Sequence, residues 1–132
     1  MTIFGAIGIA STGLTANQKW LDAISDNLAN MDNVTSTSGT AFQAKYVIAQ
    51  ANDSGGGVSV TGIALGSAAG RTVYEPDNPL ADANGNVRYP DIDEASQMSQ
   101  LIMAQRGYQA NAAVVDRAKE TYTAALQIGR SL

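Results

Sequence analysis

Two apolar seams of helical spacing, one at each end of the chain, constrain this sequence more than anything else in it. Ile7, Leu14, Leu21 and Leu28 stand seven residues apart, and Ile3, Ala10, Asn17, Ile24 and Met31 form the companion row. That is an a/d heptad pattern with a polar break at Asn17. Near the other end, Met98, Gln105, Ala112, Lys119 and Leu126 form one row, and Leu101, Tyr108, Val115 and Tyr122 the other. The spacing predicts a C-terminal helix of about 35 residues, roughly 50 Å long. A helix that long exceeds the diameter of a small domain and seeks partners along its length. Gln105 and Lys119 within the seam suggest that register matters, because polar seam residues trade stability for specificity.

The ends of these helices carry their own signals. Gly5, Gly8 and Gly13 each cost a helix roughly 1 kcal/mol relative to Ala. The first dozen residues are therefore expected to be weak helix, with "TANQ" (Thr15–Gln18) as a capping box if the helix starts there. After Met31, "DNVTSTSG" stops it, since Asn, Ser and Thr side chains compete for backbone hydrogen bonds. At the second helix, "PDIDE" offers Asp91 as N-cap with Glu94 three residues on, and Gly129 suits the position just past the C-terminus.

Between the seams the sequence reads as strands and turns. "QAKYVIAQA" (Gln43–Ala51) and "VSVTGIAL" (Val58–Leu65) are strand-like, and "NDSGGG" between them predicts a hairpin turn with an exposed tip. "GRTVYEP" (Gly70–Pro76) adds a short strand, and "DNPLADANGNVRYPDID" after it reads as loop. The expected fold is mainly α with a small β insert, an α+β chain. Its long N- and C-terminal helices would pair as a coiled-coil-like hairpin. The expected segments are 1–33 for the N-terminal helix, 34–90 for the strand- and loop-rich insert, and 91–132 for the C-terminal helix.

Composition narrows the chemistry. At 132 residues one domain is expected. The net charge is −4 and no basic face suggests nucleic acid. Lys19 against Asp22, Asp26 and Asp32 leaves residues 1–40 acidic, the middle is more acidic, and residues 94–132 are slightly basic. Without Cys there is no disulfide, thiol nucleophile or thiolate metal site, and without His the commonest general base and transition-metal ligand is missing. No apolar run is long enough to span a membrane. "MTIFGAIGIASTGL" lacks a basic n-region and reads as no cleaved secretory signal.

One loop tempts a metal reading. Asp82, Asn84, Asn86 and Asp93 fall at positions 1, 3, 5 and 12 of an EF-hand-like spacing. Position 6 is Val87 where Gly is needed, and position 12 is Asp where a bidentate Glu is expected, so a solvated acidic turn is preferred to a calcium site. Asp91, Asp93 and Glu94 could be a carboxylate pair for glycoside hydrolysis, but acids at a helix start more often complement its dipole. No nucleophile–base pair, P-loop or dinucleotide fingerprint is present, and Trp20 and the tyrosines are not interleaved with basic residues. No enzyme, cofactor or metal is expected.

The residues also carry a resemblance. "LDAISDNLANMDN" (Leu21–Asn33) resembles the N-terminal signature of bacterial flagellar axial proteins, the rod, hook and hook-associated family. "AQRGYQANAAVVDRAKE" (Ala104–Glu120) is similar to their C-terminal signature. "VYEPDNPLADANGNVRYPDIDEASQM" (Val73–Met98) and the short total length are most similar to the proximal-rod members. The sequence departs from the pattern at Asp26, where Asn is usual, at Gly107, and in "STSGTAFQAK" (Ser36–Lys45).

The resemblance implies a structural subunit of the basal-body proximal rod. Terminal helices would pack against those of other rod subunits and further copies of the chain in a helical tube, transmitting torque and lining the export channel. It implies passage through the flagellar type III export apparatus without a cleaved signal, a site in the basal body within the periplasmic space, and no membrane insertion. The insert would sit outward as a spacer with a tolerant tip. The seams supply Leu14, Leu21, Ile24, Leu28, Met31, Leu101, Tyr108, Val115 and Tyr122 as subunit-interface candidates, and the two signatures add Asn27, Asn30, Gln109 and Asn111. Another axial rod protein is the nearest alternative, and a small calcium-binding protein a distant one.

Overall fold

A computed structural model describes residues 2–130. Its elements are α1 (Ile3–Asn30), β1 (Thr35–Ser36), β2 (Lys45–Ala51), β3 (Val58–Leu65), β4 (Arg71–Tyr74), β5 (Asn86–Tyr89) and α2 (Glu94–Arg130). Two long helices thus bracket short strands, as the end seams imply. The chain divides into two compact units. One comprises Met1–Leu21, Ile48–Gly62 and Ile102–Leu132, the other Asp22–Val47 and Ile63–Leu101.

The helix ends differ from the sequence expectation. α1 starts at Ile3, within the expected 1–33 segment, where the Thr2 hydroxyl accepts the Gly5 amide at 3.1 Å and so caps the weak first turn. Thr15 is mid-helix, its hydroxyl donating to the Ser11 carbonyl at 3.1 Å, so "TANQ" caps nothing. α2 is capped by Asp93, not Asp91: its carboxylate accepts the Ser96 amide at 2.8 Å. Gly129 lies inside α2, which continues to Arg130.

In the first unit, α1 and α2 meet along small residues. Ala10 and Ala104 are buried, and Gly13, Asn17, Gly107, Asn111, Val115 and Ala118 are half-buried. The α1 row through Ala10 and Asn17 is therefore as the heptads suggest. On α2 the row through Gln105, Lys119 and Leu126 is one residue out of place. Ala104, Asn111 and Ala118 face inward, whereas Gln105 and Lys119 are exposed, as is Leu126. An inward row of Ala and Asn carries little hydrophobic signal, so the larger residues beside it dominate the pattern.

The same unit holds the tip of the β2–β3 hairpin. The turn closes through the Asn52 amide donating to the Gly57 carbonyl at 3.1 Å. Gly55, Gly56 and Gly57 all have positive φ, at 84°, 74° and 91°, which L side chains rarely adopt. One side of the tip is docked on α1. A Cβ on Gly56 would lie 3.0 Å from Ile9 Cδ1, and one on Gly57 would lie 2.5 Å from Thr12 Oγ1. Gly56 and Gly57 therefore sit against α1, whereas Asp53, Ser54 and Gly55 are exposed, with open space around Gly55.

The second unit is built on a three-stranded antiparallel sheet in the order β1-β5-β4. Thr35 pairs with Arg88 and Ser36 with Val87 on one side of β5, and Val73 pairs with Val87 on the other. β5 falls where the sequence reads as loop. Being central, it places Val87 at 0% exposure. Ala23, Ile24, Ala41, Ala44, Pro90 and Ile92 are buried with it in this unit. Gly70 is required at its turn, where φ is 59° and a Cβ would collide with the Tyr89 carbonyl oxygen. β2 and β3 form a separate two-stranded sheet.

Candidate assembly surface

The predicted interface residues divide by exposure. Ile24 and Asn27 are buried within the chain. Leu14, Leu21, Leu28, Asn30, Met31, Leu101, Asn111 and Val115 are half-buried, and Tyr108, Gln109 and Tyr122 are exposed.

Asn27 illustrates the buried group. Its Oδ1 accepts the Lys45 amide at 2.7 Å, and its Nδ2 donates to the Lys45 carbonyl at 3.0 Å and to Gln97 Oε1 at 3.1 Å. The side-chain amide thus pairs with the first residue of β2 as a neighbouring strand would. Both of its N–H groups and its oxygen are satisfied inside the chain, as a buried amide requires. Gln97, likewise buried, was outside the sequence-derived set. Asn30 donates to the Asp26 carbonyl at 2.8 Å, and Asp26 forms an ion pair with Lys45. The departure at Asp26 from the usual Asn therefore comes with a cation facing it.

The exposed group lies on α2 in the first unit. Tyr108 lines a shallow groove with Leu14, Thr15, Gln18 and Lys19. Tyr122 meets Phe4 edge-on, ring centroids 5.6 Å apart, a favoured aromatic geometry. Every described residue of α2 from Thr121 onward is exposed. Leu126 is 50% exposed and Ile128 65%. Neither is isolated, since Phe4 at 68% and Val114 at 46% add to the apolar surface of this unit.

The tempting loop is a closed structural turn. Asp82 accepts the Asn84 amide at 2.8 Å, the Asn86 amide at 3.0 Å and the Thr37 hydroxyl at 2.9 Å. These bonds, the Asn86 amide foremost, hold its carboxyl below the ordinary value. Among the described residues no cluster of three or more His, Cys, Asp or Glu side chains is arranged to hold a metal ion. Nearby, the Tyr89 hydroxyl donates to Glu75 Oε1 at 2.9 Å, which raises the phenol above its ordinary value. No described helix is long and apolar enough to cross a membrane.

Comparison with known proteins gives this surface a context. Residues 7–36 match the family described as "Flagella basal body rod protein", and residues 83–128 match "Flagellar basal body rod FlgEFG protein C-terminal". The chain is 37% identical to the flagellar basal-body rod protein FlgC of Salmonella typhimurium, covering 98% of this chain and 100% of that one. It is 28% identical to the protein of the same name from Bacillus subtilis, over 98% of this chain and 100% of that one. For Borreliella burgdorferi the identity is 29%, covering 97% and 98%.

Proposed function

Because the chain belongs to the FlgC family of flagellar basal-body rod proteins, we propose that it is a structural subunit of the proximal rod, assembling through its terminal helices with copies of itself and with other rod subunits. The observation that carries this reading is the exposed end of α2. A soluble helix that shows Tyr122, Leu126 and Ile128 to water gains by burying them against another chain. Repeated head-to-tail contact of that kind builds a filament or tube rather than a closed oligomer. A subunit held by long paired helices transmits torque along the tube and lines its channel.

The chain would reach that place through the flagellar type III export apparatus, without a cleaved signal, and would reside in the basal body within the periplasmic space. The absence of Cys suits a compartment where thiols oxidise. Tyr108, Gln109 and Tyr122, already at the surface, are the interface residues this reading favours. The half-buried residues Leu14, Leu21, Leu101 and Val115 would support them from the helix pair.

Leu126→Asp and Ile128→Asp test this. Both positions are exposed, so the folded subunit should be unchanged while assembly is lost. Each variant is expressed in a strain lacking the native gene, with swimming scored in soft agar and export checked by immunoblot. Loss of swimming with normal export is expected. Full swimming by both variants would sink the reading of this surface.

A further inference from the structure

We infer that Gly13 with Asn111 and Asn17 with Gly107 form a reciprocal amide–glycine clasp that fixes the register of α1 against α2, and so determines which turns of α2 stay exposed to a neighbouring subunit. The second half of that statement rests on the assembly reading above; the first does not.

The two halves of the clasp are chemically the same. "GLTAN" (Gly13–Asn17) on α1 and "GYQAN" (Gly107–Asn111) on α2 share the pattern G-x-x-A-N. Asn17 Nδ2 donates to the carbonyl of Gly13 at 2.8 Å, and Asn111 Nδ2 donates to the carbonyl of Gly107 at 2.8 Å. Each amide is thus pinned to the preceding turn of its own helix. Each also lies over the glycine of the other helix. A Cβ on Gly13 would come within 2.7 Å of Asn111 Oδ1, and one on Gly107 within 2.6 Å of Asn17 Oδ1. Heavy atoms do not approach so closely without bonding, so glycine is the residue that fits opposite each pinned amide.

This explains how a seam of small residues avoids slipping. Ala10, Ala104 and Ala118 are too alike to choose between registers a heptad apart. A slide of seven residues moves α2 by about 10 Å. In one direction it sets Asn111 against Trp20 and Asn17 against Val114. In the other it sets Asn111 against Ala6. Each of these residues carries a Cβ where the amide needs none. The native register alone offers a glycine to both amides, as a polar seam residue does when it selects one register.

Two measurements on the isolated monomer test the clasp, independently of rod assembly. The first is a thermal double-mutant cycle. Gly→Ala within a helix ordinarily stabilises. Gly107→Ala should instead lower the melting temperature, because its methyl group displaces the Asn17 amide. In an Asn17→Ala background the same substitution should raise it by about 3–5 °C. The reciprocal pair, Gly13→Ala with and without Asn111→Ala, should behave alike. An equal shift of Gly107→Ala in both backgrounds would overturn the clasp.

The second measurement reads register directly and still applies if an alanine variant is too weak to melt cooperatively. The chain has no native Cys, so introduced pairs are unambiguous. With a short thiol cross-linker in dilute monomer, Phe4→Cys should join Tyr122→Cys and not Val115→Cys. When Asn17 and Asn111 are both alanine, the pair at 4 and 115 should begin to form. An unchanged cross-linking pattern without the clasp, or failure of the pair at 4 and 122 with it intact, would overturn the inference. If the clasp passes both tests and the Asp variants at Leu126 and Ile128 still swim, the register device stands and the assembly reading falls.

Discussion

The Thr12 hydroxyl accepts the backbone amide of Val58 at 3.0 Å and donates to the Ile9 carbonyl at 2.7 Å, so one side chain joins the start of β3 to α1. Thr12→Val keeps the shape and removes the acceptor. It should lower stability by about 1 kcal/mol, the usual effect of leaving such a donor unpaired. Gly57→Ala should be worse than an ordinary surface change, since it combines positive φ with the contact at Thr12. Inserting two residues within Asn52–Gly57 is likewise expected to weaken the docked tip. Urea unfolding checks all three, and an unchanged midpoint for Gly57→Ala would contradict the docked turn.

Asn27→Ala removes the partners of the Lys45 amide and of Gln97 at a site with 0% exposure. A loss of about 2–4 kcal/mol is expected from the orphaned groups together. The unfolding midpoint should fall accordingly, and a change under about 1 kcal/mol would mean that water replaces the amide.

Asp82 gives a pH signature. Its folded carboxyl titrates below the ordinary value of 3.8, so it contributes stability above that value and loses it as pH falls through the lower folded one. The melting temperature of the native chain should exceed that of Asp82→Ala at pH 6, and the gap should shrink below about pH 4. A gap that widens in acid would reverse the sign and discard the hydrogen-bonded turn as its cause.

A two-residue insertion after Ala112 would rotate the rest of α2 by about 200° at 3.6 residues per turn. Val115, Ala118 and Tyr122 would then face away from α1. Swimming should be abolished while export persists, scored in soft agar and by immunoblot. A swimming strain would mean that the distal half of α2 needs no particular face.

Amide hydrogen exchange should grade along α2 in the isolated subunit. The turns opposite α1, around Ala104 and Asn111, should be protected, and residues 121–130, exposed throughout, should exchange fastest. Uniform slow exchange to Arg130 in a verified monomer would show that the exposed end of α2 is ordered without a neighbouring subunit.

What the sequence made legible follows from where the physical signal lies. Leu14, Leu21, Ile24 and Leu28 are large, periodic and apolar, so α1 and its inward face could be read directly. The α2 seam is made of Ala104, Asn111 and Ala118, and such residues announce no face, so that row was misplaced by one. β5 was missed because its four residues look like loop until Thr35–Ser36 and Arg71–Tyr74 pair with them. The docked tip was illegible because glycine has no side chain whose pattern could point at Ile9. The clasp did leave a trace in the repeat of G-x-x-A-N, whose two copies lie far apart in sequence. Among the interface candidates, hydrophobicity proposed Ile24 and resemblance proposed Asn27; the structure sets both inside the chain, because β2 and α2 cover that turn of α1.

Asn27 meets Lys45 and Gln97, and Gly13 meets Asn111. Each unit is therefore closed by residues from opposite ends of the chain. A ribosome, or any passage that delivers the polypeptide from its first residue, releases α1 and the strands long before their mates. Neither unit can shut until α2 has emerged, and loop closure over such spans is slow. Timing is thereby written into the connectivity: a chain delivered from its first residue stays open until its last helix follows.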